Sequence, residues 1–184
     1  QDLESLPFPA RDLAPAKDYF NVISSNRKTC TIITSRGCPY SCTFCNSPHN
    51  FRARSISSVI DEIKNCVSNG YDDFFFYDDT FNYTPKRVID FCELLEKEQL
   101  KISWSFRGRI NSITWEMLLK AKKNGCYRIQ VGVETGNDEG LKLLNKKLNV
   151  NQILNVFKWA KKLKIETVAY FMIGLPSEKN RKDV

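Results

Sequence analysis

The chain has 184 residues and suits a single domain, which at this size buries roughly 70% of its unfolded surface and needs no disulfide staple. Its seven cysteines are odd in number, no apolar run nears the roughly 18 residues of a membrane span, and the opening Gln1-Asp2-Leu3-Glu4 is neither signal nor transit peptide, so a reducing cytoplasm is expected. Twenty-eight basic against 21 acidic residues leave +7, but much of the excess falls on expected helix surfaces (Lys120, Lys122, Lys123, Lys142, Lys146, Lys147, Lys158, Lys161, Lys162, Lys164), where lysine is a solvated filler; no aromatic-interleaved basic patch speaks for a nucleic-acid partner.

The first residue is not methionine, which suggests a piece of something longer. Residues 1–28 carry Pro7, Pro9 and Pro15, each biasing its predecessor toward extended geometry, so they read as an extended lead-in to a core domain over 29–184. Residues 31–34 read as a strand. A cysteine loop follows, Arg36-Gly37-Cys38-Pro39-Tyr40-Ser41-Cys42-Thr43-Phe44-Cys45, and then a helix with Val59, Ile60, Ile63 and Val67 at helical spacing, capped by Ser57 or Ser58 and stopped by Gly70. The alternation repeats. Residues 74–77 form an aromatic strand assigned to the core, and Thr84-Pro85 opens a helix through Val88, Ile89, Phe91 and Leu95. Residues 102–106 are a third strand, Thr114 caps a helix with Met117, Leu118 and Ala121 that Gly125 ends, and residues 127–133 are a fourth strand. Asn137 caps a short helix, Ile153, Val156, Phe157, Ala160 and Leu163 make a 3.6-residue stripe, and residues 167–173 are the fifth strand.

Five strands alternating with helices predict a parallel α/β sheet with right-handed crossovers, either open or rolled into a barrel. Strand parity favours a partial barrel. Ser103, Ser105 and Arg107 share one face opposite Ile102, Trp104 and Phe106, and Arg128, Gln130 and Glu134 oppose Tyr127, Ile129, Val131 and Val133. A polar face suits a barrel interior that holds a ligand, whereas an open parallel sheet is covered by helices on both faces. Active sites of such barrels lie at the carboxyl ends of the strands. There the chain places the cysteine loop, Asp78-Asp79, Arg107 and Arg109, Glu134, and Gly174-Leu175-Pro176.

Three closely spaced thiolates cannot ligate all four irons of a cubane cluster, and electron-carrying four-iron sites take four cysteines, so the trio points to a cluster with one iron open to another ligand. The sequence here resembles the radical S-adenosylmethionine enzymes, whose signature is Cys-x3-Cys-x2-Cys with an aromatic before the last cysteine. Phe76-Tyr77-Asp78-Asp79-Thr80-Phe81, Gly132-Val133-Glu134-Thr135-Gly136 and Phe171-Met172-Ile173-Gly174-Leu175-Pro176 resemble later segments of that family in the right order. The lead-in from Asp2 to Arg11 resembles the segment joining a cobalamin-binding domain to the radical domain in one large branch. The resemblance implies a partial (β/α)6 barrel, here ending after its fifth strand. It implies a [4Fe-4S] cluster on Cys38, Cys42 and Cys45, and reductive cleavage of S-adenosylmethionine to a 5′-deoxyadenosyl radical that attacks an unidentified substrate. It also implies an electron donor such as flavodoxin or ferredoxin, and cobalamin bound by a domain outside this chain. Phe44 would contact adenine, Glu134 the ribose hydroxyls and Arg107 the methionine carboxylate, with Gly174 letting backbone approach the nucleoside. Asp78-Asp79 stands where many relatives grip the methionine amino group with Gly-Gly-Glu.

Each assignment has a rival. Cys38, Cys42, Cys45 and His49 form a Cys3His set that zinc accepts, which with the charge of +7 makes a zinc-binding, RNA-interacting module the alternative. Asp78-Asp79 fits a capped turn equally well. Glu134, a carboxylate at a strand end, costs desolvation unless something pairs with it.

Overall fold

The computed structural model describes residues 2–13 and 28–178; Pro15 and the rest of 14–27 lie outside them. The order is β1 (Thr29–Ile32), β2 (Ser35–Arg36), β3 (Arg52–Ala53), α1 (Ile56–Ser68), β4 (Asp73–Phe76), α2 (Pro85–Lys97), β5 (Ser103–Gly108), α3 (Trp115–Lys123), β6 (Cys126–Glu134), α4 (Asp138–Leu143), α5 (Val150–Lys162) and β7 (Glu166–Phe171). Five strands form one parallel sheet in the order β1-β4-β5-β6-β7, and β2 pairs antiparallel with β3. Sequential order without reversal is the winding of a barrel wall; a doubly wound sheet reverses its strand order at a switch point.

The core lies on one face of that wall. Cys30, Ile32, Phe74, Phe76, Trp104, Phe106, Ile129 and Val131 from the strands pack in one cluster with Val59, Ile63, Phe91, Leu95, Met117, Val156 and Ala160 from the helices. Phe76 stacks on Phe81 with ring centroids 4.3 Å apart and meets Phe91 and Trp104 edge-on, contacts worth about 0.5–1.5 kcal/mol each beyond their buried area. The aromatic run is split by parity. Phe74 and Phe76 are fully buried, whereas Phe75 is half-buried and Tyr77 is exposed on the other face.

That other face is polar, as the alternation predicts, with one exception. Tyr127 donates to Asp73 Oδ2 at 3.3 Å and so belongs with the polar residues and not with Ile129. The cause is a register shift: Trp104 faces Cys126, but Ser105 faces Arg128, and the extra residue turns Tyr127 over. One helix cap also differs from the expectation. Ser55, not Ser57 or Ser58, caps α1, its hydroxyl accepting from Ser58 N, because Ile56 is drawn against the core as the first helical residue. Thr84, Thr114 and Asn137 cap α2, α3 and α4 as expected.

The described lead-in is tied down, not loose. Leu3 is buried, and Arg11 Nη2 donates to Thr31 O at 3.0 Å and to Glu62 Oε1 at 2.6 Å. Glu62, buried in α1, also pairs with Arg54.

Gly125 joins α3 to β6 at φ +91°, and a Cβ there would lie 1.9 Å from Ile102 O. Gly125→Ala is expected to lower stability by about 2 kcal/mol or more, seen as a lower urea midpoint with an unchanged slope.

Candidate cluster and nucleoside site

The cysteine loop, residues 37–51, leaves the carboxyl end of β1 through a neck made by β2 and β3. Cys38 and Cys42 are partly exposed and Cys45 is exposed. The other four cysteines are buried. Burial pushes the Cys92 thiol up to about 12 and raises Cys126 as well. Cys30 and Cys66 share a 3.6 Å hydrogen bond, which raises Cys30 and lowers Cys66. Only the loop thiols therefore combine access with proximity in sequence. Among the described residues no three His, Cys, Asp or Glu side chains are gathered in metal-holding geometry, and His49 is exposed. The donor set still suits an iron cluster with one open iron, since it offers three accessible thiols and no accessible fourth.

A loop this polar has little core of its own and is gripped from outside. Thr43 N and Oγ1 donate to Leu144 O and Leu143 O, both at 3.2 Å, and Asn145 Nδ2 donates to Ser41 O at 2.8 Å. Arg109 Nη1 lies 2.9 Å from Cys42 Sγ while its Nη2 donates to Lys146 O at 2.5 Å, and its Cζ lies 4.0 Å from the centroid of the Tyr40 ring. Asn82 fixes Arg109 in turn, accepting from its N and donating to its O, both at 2.8 Å. The connector between α4 and α5 is thus a cradle for the thiol loop. Asn145 and Lys147 both adopt positive φ there, which coils the backbone and presents its carbonyls.

Asp78 and Asp79 diverge. Asp78 is buried and accepts from Thr34 N at 2.6 Å, Thr34 Oγ1 at 2.5 Å, Ser35 N at 3.2 Å and Ser35 Oγ at 3.0 Å. Burial pushes its carboxyl up, and those four hydrogen bonds pull it back. Arg87 Nη2 donates to Thr34 Oγ1 at 3.2 Å, so this network fixes the base of the thiol neck. Asp79 is exposed and accepts from Ser47 Oγ of the cysteine loop at 3.0 Å.

Glu134 ends β6 at φ +67°, buried, and accepts from Lys146 Nζ at 2.9 Å. Lys146 is itself only 4% exposed, which corrects its placement among the solvated lysines: the carboxylate has the partner its burial demands. Gly132 makes room for the pair, since a Cβ there would lie 2.2 Å from Glu134 Oε1 and 3.1 Å from Lys146 Nζ. The Phe44 ring is partly exposed and lies 6.0 Å from Lys146 Nζ. A cleft of 320 Å³ opens between residues 134–136 and 171–173. Gly174, at φ +86°, has nothing within 4 Å of where a Cβ would stand, and its N donates to Glu178 Oε2 at 2.6 Å.

Arg107 stands apart. It pairs in register with Gln130, four residues before Glu134 on β6, which sets it below the level of that carboxylate. Its Cζ sits 3.9 Å from the Tyr77 ring centroid and 5.6 Å from that of Phe75. The structure thus brings Cys38, Cys42, Cys45, Phe44, Asp79 and Glu134 to one mouth with Lys146 and Arg109, and leaves Arg107 below it.

The chain matches the Radical SAM superfamily over residues 32–183. It is 31% identical over 183 residues to an uncharacterized methyltransferase of Pyrococcus horikoshii, covering 97% of this chain and 39% of that protein. The cobalamin-dependent S-adenosylmethionine radical enzyme OxsB, solved with aqua-cobalamin, superposes with a TM-score of 0.73 at 25% identity, over 83% of this chain and 25% of that one. The radical S-adenosylmethionine methyltransferase TsrM of Kitasatospora setae shares the fold, with a TM-score of 0.71 at 18% identity over 82% of this chain and 31% of that one. The chain therefore spans about four-tenths or less of each of these three proteins. It belongs to the radical S-adenosylmethionine superfamily of enzymes, and its likeness is to the cobalamin-associated branch.

Proposed function

We propose that residues 29–184 are the catalytic core of a radical S-adenosylmethionine enzyme, with Cys38, Cys42 and Cys45 holding a [4Fe-4S] cluster. The observation that carries the reading is the sorting of the thiols, three accessible on one gripped loop at the carboxyl end of β1 and four buried elsewhere. When bound, such a cluster supplies the electron that cleaves S-adenosylmethionine to a 5′-deoxyadenosyl radical.

The chain's own residues bind and orient. Phe44 offers a partly exposed ring to adenine beside the Glu134–Lys146 pair. Glu134, fixed by Lys146, accepts from the ribose hydroxyls, and the open space at Gly174 lets backbone approach the nucleoside. Lys146 is the cation nearest these groups, so the methionine carboxylate falls to it and not to Arg107, which lies deeper. Asp79, facing the cysteine loop, is the candidate for the methionine amino group. Asp78 is a positioning residue, its carboxylate committed to Thr34 and Ser35. Arg109 aims the loop through Cys42 and Lys146 O. Holding these groups before reaction is the protein's share of the rate.

The resemblance of the lead-in from Asp2 to Arg11 to a joining segment, and the likeness to OxsB, a protein solved with aqua-cobalamin, support a cobalamin domain outside this chain; the described lead-in is not extended throughout, since Arg11–Leu13 form a 3-10 turn. The electron would come from a flavodoxin or ferredoxin, in a reducing cytoplasm that preserves the free thiols; no helix of the described residues is long and apolar enough to cross a membrane.

Anaerobic reconstitution is expected to give about four iron and four sulfide per chain, and dithionite with S-adenosylmethionine to release 5′-deoxyadenosine. Cys38→Ala, Cys42→Ala and Cys45→Ala should each lose the cluster absorbance with little change in melting temperature. Full iron content in all three variants, or stoichiometric zinc without iron, contradicts the assignment. Asp78→Asn should do the reverse in order of cause, lowering stability by about 2 kcal/mol in the iron-free protein because an amide cannot accept from all four donors. Glu134→Gln is expected to retain the cluster and weaken S-adenosylmethionine binding by about tenfold, measured by calorimetry, since each hydroxyl then meets a neutral acceptor.

A further inference from the structure

Most cations on the polar face of the sheet are accounted for. Arg128 pairs with Glu166 at 2.6 Å and Lys146 with Glu134 at 2.9 Å, while Arg109 is committed to Cys42 and the Lys146 carbonyl. Arg107 is different. Among the described residues no acceptor takes a hydrogen bond from its guanidinium and no carboxylate pairs with it, although its Nε is buried. Leaving such a donor buried and unmet costs about 1–3 kcal/mol. The acids of this face are already engaged: Asp73 with Thr29 and Tyr127, Glu166 with Arg128 and Glu134 with Lys146. The positive charge of Arg107 is left uncompensated.

Its surroundings hold it ready. The Tyr77 ring at 3.9 Å and Phe75 at 5.6 Å pin the guanidinium plane, a stacking that orients the fork without satisfying its donors. Gln130 is the register partner of Arg107 on the next strand, and its Oε1 accepts from Tyr170 Oη at 2.5 Å. With its carbonyl occupied, the donor end of that amide is the end left for a ligand. Tyr77 and Tyr170 are 47% and 42% exposed, which leaves aromatic surface on both flanks. The row Tyr77, Arg107, Gln130, Tyr170 therefore offers donors in the middle and rings at the sides, deeper than the groups assigned to the cofactor.

We propose that this row is the substrate subsite and that it takes an oxyanion, a carboxylate or phosphate carried on a planar or apolar body, with Arg107 and Gln130 donating to it. The inference rests on the reading of the mouth as the S-adenosylmethionine site, because the substrate must lie within reach of a radical formed there. It replaces the carboxylate of the cofactor with one belonging to the substrate as the partner of Arg107.

The test is anaerobic calorimetry of the cluster-loaded protein, with and without saturating S-adenosylmethionine, using phenyl phosphate, benzoate and benzyl alcohol as probes. At least one of the two oxyanions should bind about tenfold or more tightly than the neutral alcohol, and binding should persist with S-adenosylmethionine present; whichever oxyanion binds better identifies the group. Arg107→Gln should weaken that oxyanion by about tenfold or more and leave the alcohol unaffected, with Arg107→Lys intermediate because a point charge replaces a planar fork. Equal binding of charged and neutral probes, no oxyanion binding by the wild type, an unchanged Arg107→Gln affinity, or oxyanion binding abolished by S-adenosylmethionine would each overturn the proposal; the last would return Arg107 to the cofactor. Release of 5′-deoxyadenosine by the same wild-type sample reports the underlying reading separately, so failure of one is not mistaken for failure of the other.

Discussion

A thiol loop that must stay open to a ligand cannot be stabilised by burying itself, and the rest of this structure answers that constraint. Residues 37–51 contribute almost nothing to the hydrophobic core. They are held by hydrogen bonds from three directions: the β2–β3 neck anchored on Asp78, the coiled connector after α4, and Arg109 reaching up from β5. Each anchor is itself held by hydrogen bonds within the fold, so the loop is positioned by rigid neighbours while its sulfur atoms remain accessible. The arrangement fits a protein that binds and orients while a cofactor performs the difficult step.

The anchors also connect the parts of the site. Lys146 gives its carbonyl to Arg109 and Asn111 and its ammonium to Glu134. One residue therefore links the thiol loop, the segment after β5 and the expected ribose contact. The glycine at 132 belongs to the same unit, since any side chain there would displace the Glu134–Lys146 pair. A chain of such contacts makes the geometry of the mouth cooperative: moving the connector after α4 would disturb both the sulfur atoms and the carboxylate.

Much of this was legible in the sequence because strand and helix periods are local. The five parallel strands, their helices and the polar face follow from alternation and caps, and the cysteine spacing stands out unaided. What escaped was set by residues far apart in the chain. Lys146 reads as one more surface lysine, and only the left-handed turns at Asn145 and Lys147 fold it inward toward Glu134. Asp78 and Asp79 look alike in sequence, yet they point to opposite sides, one to a network and one to the loop. Alternation puts Tyr127 on the wrong face because a register shift has no sequence signature. Arg107 and Arg109 are two residues apart and share a parity, but Asn82 clamps the backbone of the second and redirects it to the thiols.

The central claim is that three protein thiolates leave one iron of four free for S-adenosylmethionine. Mössbauer spectroscopy of the iron-57-reconstituted protein measures this directly. The account predicts that adding S-adenosylmethionine shifts the signal of about one iron in four while the others stay put. A spectrum in which all four irons are indistinguishable and unmoved by S-adenosylmethionine would contradict it.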